Sequence, residues 1–419
     1  MNTNVDQRKQ AGNARLHRLI AGFRYREFRR YWAGSVLTQM TFRMQEVVLG
    51  WQVLALTGSA TWVGLVSFAY GAAMLGWSPL TGFWADRLRR QWILVTSMAL
   101  AASTVAVLAL LTTADAVLPW HILVASFLLG GTFSLYAPAR LALLPSLVPG
   151  AILLSASTVE YSSTRLMGFV GPMVAGTLVD KAGIATALLA QVATFAGAGL
   201  VFLRTGTEAD LAPPRDVAQP TGFLRGWREV TDYVRCDRPM IGLFILSLVI
   251  VPFGMTYQRL LAVVVHDIYG EGAATLGLMV GISSFGAAVV GFALASVGDV
   301  FSKGRALWLT AILSGAGLVV FAFTQQVALA LVVLFALGLL NGVYLTLSNL
   351  LFQSRPPDRL RGRVMGAYAM VWGIAPFAHL VAGAVADRIG VMETIAASGV
   401  ICIVFCGAMT IVNYDLCRL

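Results

Sequence analysis

From residue 32 almost to its last residue, the chain is a succession of apolar runs, each about the length that crosses a bilayer. A hydrocarbon core of about 30 Å needs roughly 20 apolar residues per helix. A dozen such runs cannot hide in one soluble core, because single cores stop growing at about 250–300 residues. The 419 residues are 58% hydrophobic and only 12% charged. Soluble domains carry about 25% charged residues. Lipid is the solvent that fits this surface, and the expected fold class is an all-α polytopic membrane protein.

The runs predict helices over 32–56, 61–84, 91–113, 119–140, 152–180, 183–203, 240–265, 275–298, 304–324, 327–352, 363–388 and 391–413. The one break in composition is the polar stretch from Arg204 to Arg238. It holds Pro213, Pro214 and Pro220, then an amphipathic piece from Phe223 to Val234. It divides the helices six and six. The expected units are a basic N-terminus (1–30), a six-helix bundle (31–203), a linker with an amphipathic helix (204–239), a second bundle (240–413) and a short C-terminus (414–419). The first apolar run is too long for a signal-peptide core and lacks a clear cleavage site, so it reads as a retained helix.

The formal charge is +10. If the N-terminus is cytoplasmic, twenty-five Lys and Arg fall in cytoplasmic segments and two, Lys181 and Arg388, on the other side. The remaining three, Arg43, Arg165 and Arg259, lie inside helices. Such a bias puts both termini in the cytoplasm. Topology and anionic lipid therefore account for the basic charge, and no nucleic-acid partner is expected. Cys236, Cys402, Cys406 and Cys417 have no metal-ligand spacing and make no disulfide framework. Cys402 and Cys406 read as packing residues.

An internal repeat is visible. Helices 2, 5, 8 and 11 each end in a small residue, three more, then Asp: Gly82 to Asp86, Gly176 to Asp180, Ala295 to Asp299, Gly383 to Asp387. The unit is three helices used four times, alternate copies inverted. Helices 1 and 7 also share Met40-Thr41-Phe42 and Met255-Thr256-Tyr257. Nested inverted repeats of this kind are a transporter architecture.

The repeat, the six-plus-six division and the loop after helix 2 resemble the major facilitator superfamily. That loop reads Gly82, Asp86, Arg87, Arg89, Arg90, departing at Leu88-Arg89, where Gly is usual before the basic pair. Phe28-Arg29-Arg30-Tyr31-Trp32, Leu56-Thr57-Gly58-Ser59-Ala60, Pro138-Ala139-Arg140 and Arg361-Gly362-Arg363-Val364-Met365-Gly366 look like the enterobactin-exporter-like branch. Gly171-Pro172-Met173-Val174-Ala175-Gly176 looks like the helix 5 motif of drug/proton antiporters. The resemblance implies two pseudo-symmetric six-helix bundles in a bacterial inner membrane, exporting siderophores, drugs or other small organic molecules. It also implies a cytoplasmic gate of Gly82, Asp86, Arg87 and Arg90, with Asp299 in the weaker loop 8–9 equivalent. Asp86 is expected against the start of helix 11, near Gly362 and Arg363.

Ionisable side chains at bilayer depth are expensive, about 2.5–3.5 kcal/mol for a central Arg or Asp on insertion scales. Arg43 and Glu46 lie near the middle of helix 1, three apart on one face. Glu46 is the leading candidate to carry a proton, with Glu160 second. Burial of Glu46 favours its neutral form and Arg43 favours its charged form. A substrate near Arg43 would compete with Glu46 for the same charge, an expected route to proton–substrate exchange. Read alone, Arg43 and Glu46 are equally an internal pair. Glu160 and Arg165 are five apart, do not share a face, and need separate partners. The other candidates for the cavity are Arg165, Arg259, Tyr136, His379 and the helix 10 stripe Asn341, Tyr344 and Ser348. That stripe reads alternatively as glue between helices.

The sequence has no phosphate-cradling loop, no nucleophile–base motif and no metal-ligand cluster. No cofactor and no enzymatic activity are expected, so an ion or substrate gradient must drive transport. The leading expectation is proton-coupled export of a small organic molecule. Uptake of an organic anion, or a non-transporting receptor or scaffold on the same fold, are the alternatives. Nothing in the sequence requires more than a monomer.

Overall fold

A computed structural model of the protein describes residues 20–205, 223–297 and 302–412. In hydrocarbon every backbone polar group must be paired within the protein, which only helices and closed barrels achieve. Here the apolar runs are helices, with no strand among the described residues. The spans are α1 Arg26–Thr57, α2 Ala60–Arg87, α3 Arg90–Thr113, α4 Pro119–Leu147, α5 (150–182), α6 (184–203), α7 Arg238–Ile268, α8 Ala273–Val297, α9 Lys303–Ala322, α10 Val327–Ser354, α11 Asp358–Ile389 and α12 Val391–Val412.

Among the described residues, ten helices are long and apolar enough to cross a membrane by composition. The rod Gly150–Leu203 counts there as one, although Gly183 breaks it into α5 and α6 at φ 84°. That left-handed value suits glycine and strains other residues. The span missing from the ten is α1, which carries Gln39, Arg43, Gln45, Glu46 and Gln52. A membrane helix this polar must face partners or a cavity.

Two expectations change. The first helix begins six residues earlier than the apolar run, because Phe28 and Tyr31 are fully buried. Tyr31 also donates a 3.0 Å hydrogen bond to the carbonyl of Arg140 on α4. Span α7 is not one regular helix. Pro252 lacks an N–H, and π-turns at Ile250–Gly254 and Val264–Ile268 flank the short segment Tyr257–Val263. That segment carries Arg259.

The first bundle packs α1 on α5, α2 on α4, and α3 on α4 and α6. The second packs α8 on α10, and α9 on α10 and α12, with Cys402 and Cys406 fully buried. The bundles meet along two seams, α2 with α11 and α5 with α8.

The linker helix Phe223–Cys236 lies against α11, with Val230 buried in the second core. Asp237 follows it and takes two hydrogen bonds from Arg355, at 2.7 and 3.0 Å. Burial pushes the Asp237 carboxyl up, but the Arg355 hydrogen bonds and charge outweigh it and hold it below its ordinary value. A depressed carboxylate stabilises the fold above its unfolded pKa, about 3.9. That stabilisation is lost as pH falls through the lower folded value. We expect Asp237→Asn to cost about 1–3 kcal/mol at pH 7 and to remove this part of the acid sensitivity. Thermal unfolding in nanodiscs at pH 7 and at acid pH measures both. Equal stability of variant and wild type at pH 7 would show that the pair contributes nothing.

Candidate functional site

Between the bundles lies a cavity of about 260 Å³, lined by α1, α2, α4, α7 and α8. Much of its wall is apolar, with Phe42, Val47, Val63, Val66, Phe133, Leu276 and Val280. Pockets that accept organic molecules combine such walls with a few placed polar groups. Helix α1 supplies Gln39, Arg43, Glu46 and Gly50 at i, i+4, i+7 and i+11, one face of a helix. The facing bundle supplies Gln258 and Arg259 from α7 and Ser284 from α8.

The charged groups converge on one atom. Glu46 Oε1 lies 3.4 Å from Arg43 Nη1 and 3.3 Å from Arg259 Nη2. Arg43 shares α1 with Glu46, whereas Arg259 crosses from the other bundle. The three side chains are 46%, 30% and 32% exposed, in the order Arg43, Glu46, Arg259. They face the cavity, where a ligand can reach them. Two guanidinium groups against one carboxylate leave one positive charge in excess. Gly171 on α5 sets the depth of Arg43. A β-carbon there would stand 2.7 Å from the Met40 carbonyl and 2.8 Å from Arg43 Cβ. Only glycine lets α5 press this closely behind α1.

Glu160 is elsewhere. It is buried inside the first bundle, and its Oε1 takes a 2.6 Å bond from Arg140 Nη1 and a 2.5 Å bond from Ser35. The side chains of Arg140 and Glu160 are 13% and 7% exposed, against 30% for Glu46. Arg140 also donates to Thr164 at 3.1 Å, and Tyr136 to Ser35 at 3.4 Å. Tyr136 is therefore part of this buried network and off the cavity wall. Arg165 is off the wall too. It donates to Tyr161 one turn back, with its guanidinium carbon 5.0 Å from that ring centre.

The helix 10 stripe packs inward. Asn341 donates to Tyr257 at 3.3 Å, Tyr344 to Ser247 at 2.9 Å, and Ser348 lies 3.2 Å from the Tyr368 hydroxyl. All three are buried and join α10 to α7 and α11, so the glue reading describes them and the cavity reading does not. His379 is partly buried on α11, where its carbonyl would meet a β-carbon on Gly64 of α2. It does not line the cavity.

Of the expected gate, Arg363 pairs with Glu229 of the linker helix. Arg90 donates to the carbonyl of Ala142 on α4 at 2.8 Å. The surroundings of Gly82 and the side chains of Asp86 and Arg87 are not described, and Asp299 lies outside the described residues. Pro172 and Gly176 sit at the α5–α8 seam, where β-carbons on Gly176 and Gly277 would collide with the carbonyls of Ala273 and Pro172.

Sequence reasoning missed Gln39, Tyr70 and Gln258 on the cavity wall, and Arg140 as the partner of Glu160. The Gln39, Arg43, Glu46 spacing was the available signal for the first of these.

A structure described as a POT family transporter in complex with 5-aminolevulinic acid superposes with a TM-score of 0.73 at 13% identity, over 94% of this chain and 97% of that one. Curated relatives include the staphyloferrin A transporter of Staphylococcus aureus, 23% identical over 89% of this chain and 93% of that protein. The multidrug efflux pump Tap of Mycolicibacterium fortuitum is 27% identical over 84% and 87%. The enterobactin exporter EntS of Escherichia coli is 26% identical over 88% and 87%. The family model described as Major Facilitator Superfamily matches residues 31–379, and the chain belongs to that superfamily.

Proposed function

We propose that this major facilitator transporter couples protons to the export of a small organic molecule through the cavity at Arg43, Glu46 and Arg259. The observation that carries the reading is the single Glu46 oxygen shared by arginines of opposite bundles. Any change in the charge of Glu46 alters a contact across the interface that must rearrange when access alternates.

The direction of coupling follows from linkage. A ligand that engages ionised Glu46 with a cation or with donor groups competes with the proton. It exchanges for the proton, and an inward proton gradient then drives export. A carboxylate ligand that captures both arginines does the reverse. It leaves Glu46 without counter-charge, favours its protonated form and travels with the proton. The competition expected from the sequence for a ligand at Arg43 therefore gives co-transport, not exchange. The excess positive charge of the site favours this second reading, proton-coupled uptake of an organic anion. The names of the relatives support the first.

Flux in proteoliposomes under an imposed pH gradient separates them. The test takes two fluorescent probes of similar size, one a monocation and one a monocarboxylate. Export predicts accumulation of the cation against the proton gradient. Uptake predicts accumulation of the carboxylate with it. No gradient-dependent flux of either probe counts against proton coupling at this site.

The charge bias of the loops supports an orientation with both termini in the cytoplasm of a bacterial inner membrane. In that orientation Gly82, Asp86, Arg87, Arg90, Asp299 and Arg363 form the cytoplasmic gate. Cysteine at position 215, in a background lacking the four native cysteines, is then shielded from an impermeant thiol reagent in intact cells, whereas cysteine at 181 or 388 is labelled. Labelling of position 215 from outside reverses the orientation.

A further inference from the structure

The recurring small-x-x-x-Asp endings of helices 5 and 11 meet a common fate in the fold. Asp180 ends α5 in the first bundle and reaches the first turn of α8 in the second. Its Oδ1 takes the Ala273 N–H at 2.7 Å and its Oδ2 the Ala274 N–H at 2.9 Å. Asp387 ends α11 in the second bundle and reaches the first turn of α2 in the first. Its Oδ1 takes the Ala60 N–H at 2.7 Å and its Oδ2 the Thr61 N–H at 3.0 Å. Ser59 and Thr61 hydroxyls add bonds to Oδ2 at 2.5 Å each. The first N–H groups of a helix have no partner within it, and its dipole favours an anion there.

The small residue of the motif has its own part. A β-carbon on Gly383 would stand 2.5 Å from the Ala60 carbonyl, and one on Gly176 would collide with the Ala273 carbonyl. In both seams the glycine lets one helix touch the first turn of the opposite helix. The aspartate, one turn later, then caps that turn.

We propose that these two clasps are the gate at this end of the transporter, and that Asp180 and Asp387 open and close as one unit in the alternating-access cycle. Each clasp joins one bundle to the other, and the pseudo-two-fold repeat makes them equivalent. Rocking of the bundles at this end must strip both carboxylates from their amides. Inward rocking must restore both. The clasps hold one access state whichever ligand moves and in whichever direction, so the inference stands independently of the coupling proposed at Glu46.

Hydrogen–deuterium exchange in nanodiscs tests this, because the donors are backbone amides. In Asp180→Ala, amides at Ala273 and Ala274 lose their acceptor and exchange faster. A single gate predicts that Ala60 and Thr61, on the other seam, also exchange about tenfold faster, since the open state gains population. Asp387→Ala predicts the converse. Spin labels at positions 114 and 325, and a second pair at 151 and 353, read the two ends in a cysteine-free background. The double variant should shift the first pair to longer distances and the second to shorter ones. Asp180→Asn keeps one acceptor and should give an intermediate shift, which preserves the test if the alanine variants fold poorly. Faster exchange confined to the mutated seam, or unchanged distances in the folded double variant, would overturn the proposal.

Discussion

Glu46→Gln is expected to abolish accumulation driven by a pH gradient while leaving the transporter able to bind and to equilibrate substrate. The change keeps the size of the side chain and removes its charge and its titration. Arg43 and Arg259 lose the carboxylate oxygen they share, and the excess charge of the cavity rises from one to two. A charge-assisted hydrogen bond contributes about 1.5–3 kcal/mol, so removing the internal competitor should tighten binding of a monocarboxylate probe by about tenfold or more. A monocation should bind correspondingly more weakly. With no proton taken up or released, an imposed pH gradient no longer drives the probe, which runs down its own gradient until internal and external concentrations are equal. Proteoliposome flux with and without the gradient, beside equilibrium binding of both probes, gives the two readouts. Wild-type accumulation by the variant would make Glu46 a structural partner of the arginines and place the proton path elsewhere. Loss of binding as well as accumulation would point to collapse of the site. Unfolding temperature distinguishes that case.

Much of the fold was legible in the sequence because lipid makes apolar length a direct measure of a span. The places where the helices depart from that pattern are where other forces act. Phe28 and Tyr31 extend α1 beyond its apolar run because they are buried against neighbours. Pro252 converts part of α7 into π-turns. The candidate site was less legible. Arg43, Glu46 and Arg259 could be singled out one by one, since charge inside a bilayer needs a reason. Their meeting could not, because Arg259 lies on another bundle and sequence spacing carries no information across that gap. Glu160 stood out for the same reason, yet its partner is Arg140, twenty residues away on α4. In the sequence Arg140 reads only as part of a family motif near a helix end. The helix 10 stripe illustrates the opposite error. A polar face on a membrane helix is visible in sequence, but hydroxyls and amides serve equally to line a cavity or to bond helices. Asn341, Tyr344 and Ser348 bond helices.

The Arg140–Glu160 pair carries the second large effect. The two side chains are nearly closed to solvent, with Ser35 donating to Glu160 and Arg140 donating to Thr164 beside the pair itself. Removing one member of a buried pair leaves an uncompensated charge, at a cost of about 3–5 kcal/mol. Arg140→Ala should therefore lower the unfolding temperature by about 10 °C in nanodiscs, or abolish folded yield. Replacing both members by apolar residues of similar volume removes the charge with the partner and is often neutral. Arg140→Met with Glu160→Leu should recover most of the stability lost in Arg140→Ala. The double variant then decides what Glu160 does. If it is structural, the folded double variant accumulates probe under a pH gradient at close to the wild-type rate. If Glu160 lies on the proton path, the double variant folds and binds probe but no longer responds to the gradient. The exposures favour the first outcome. A proton carrier must meet water from alternate sides, and Glu46 faces an open cavity while Glu160 is sealed beneath Arg140, Ser35 and Tyr136.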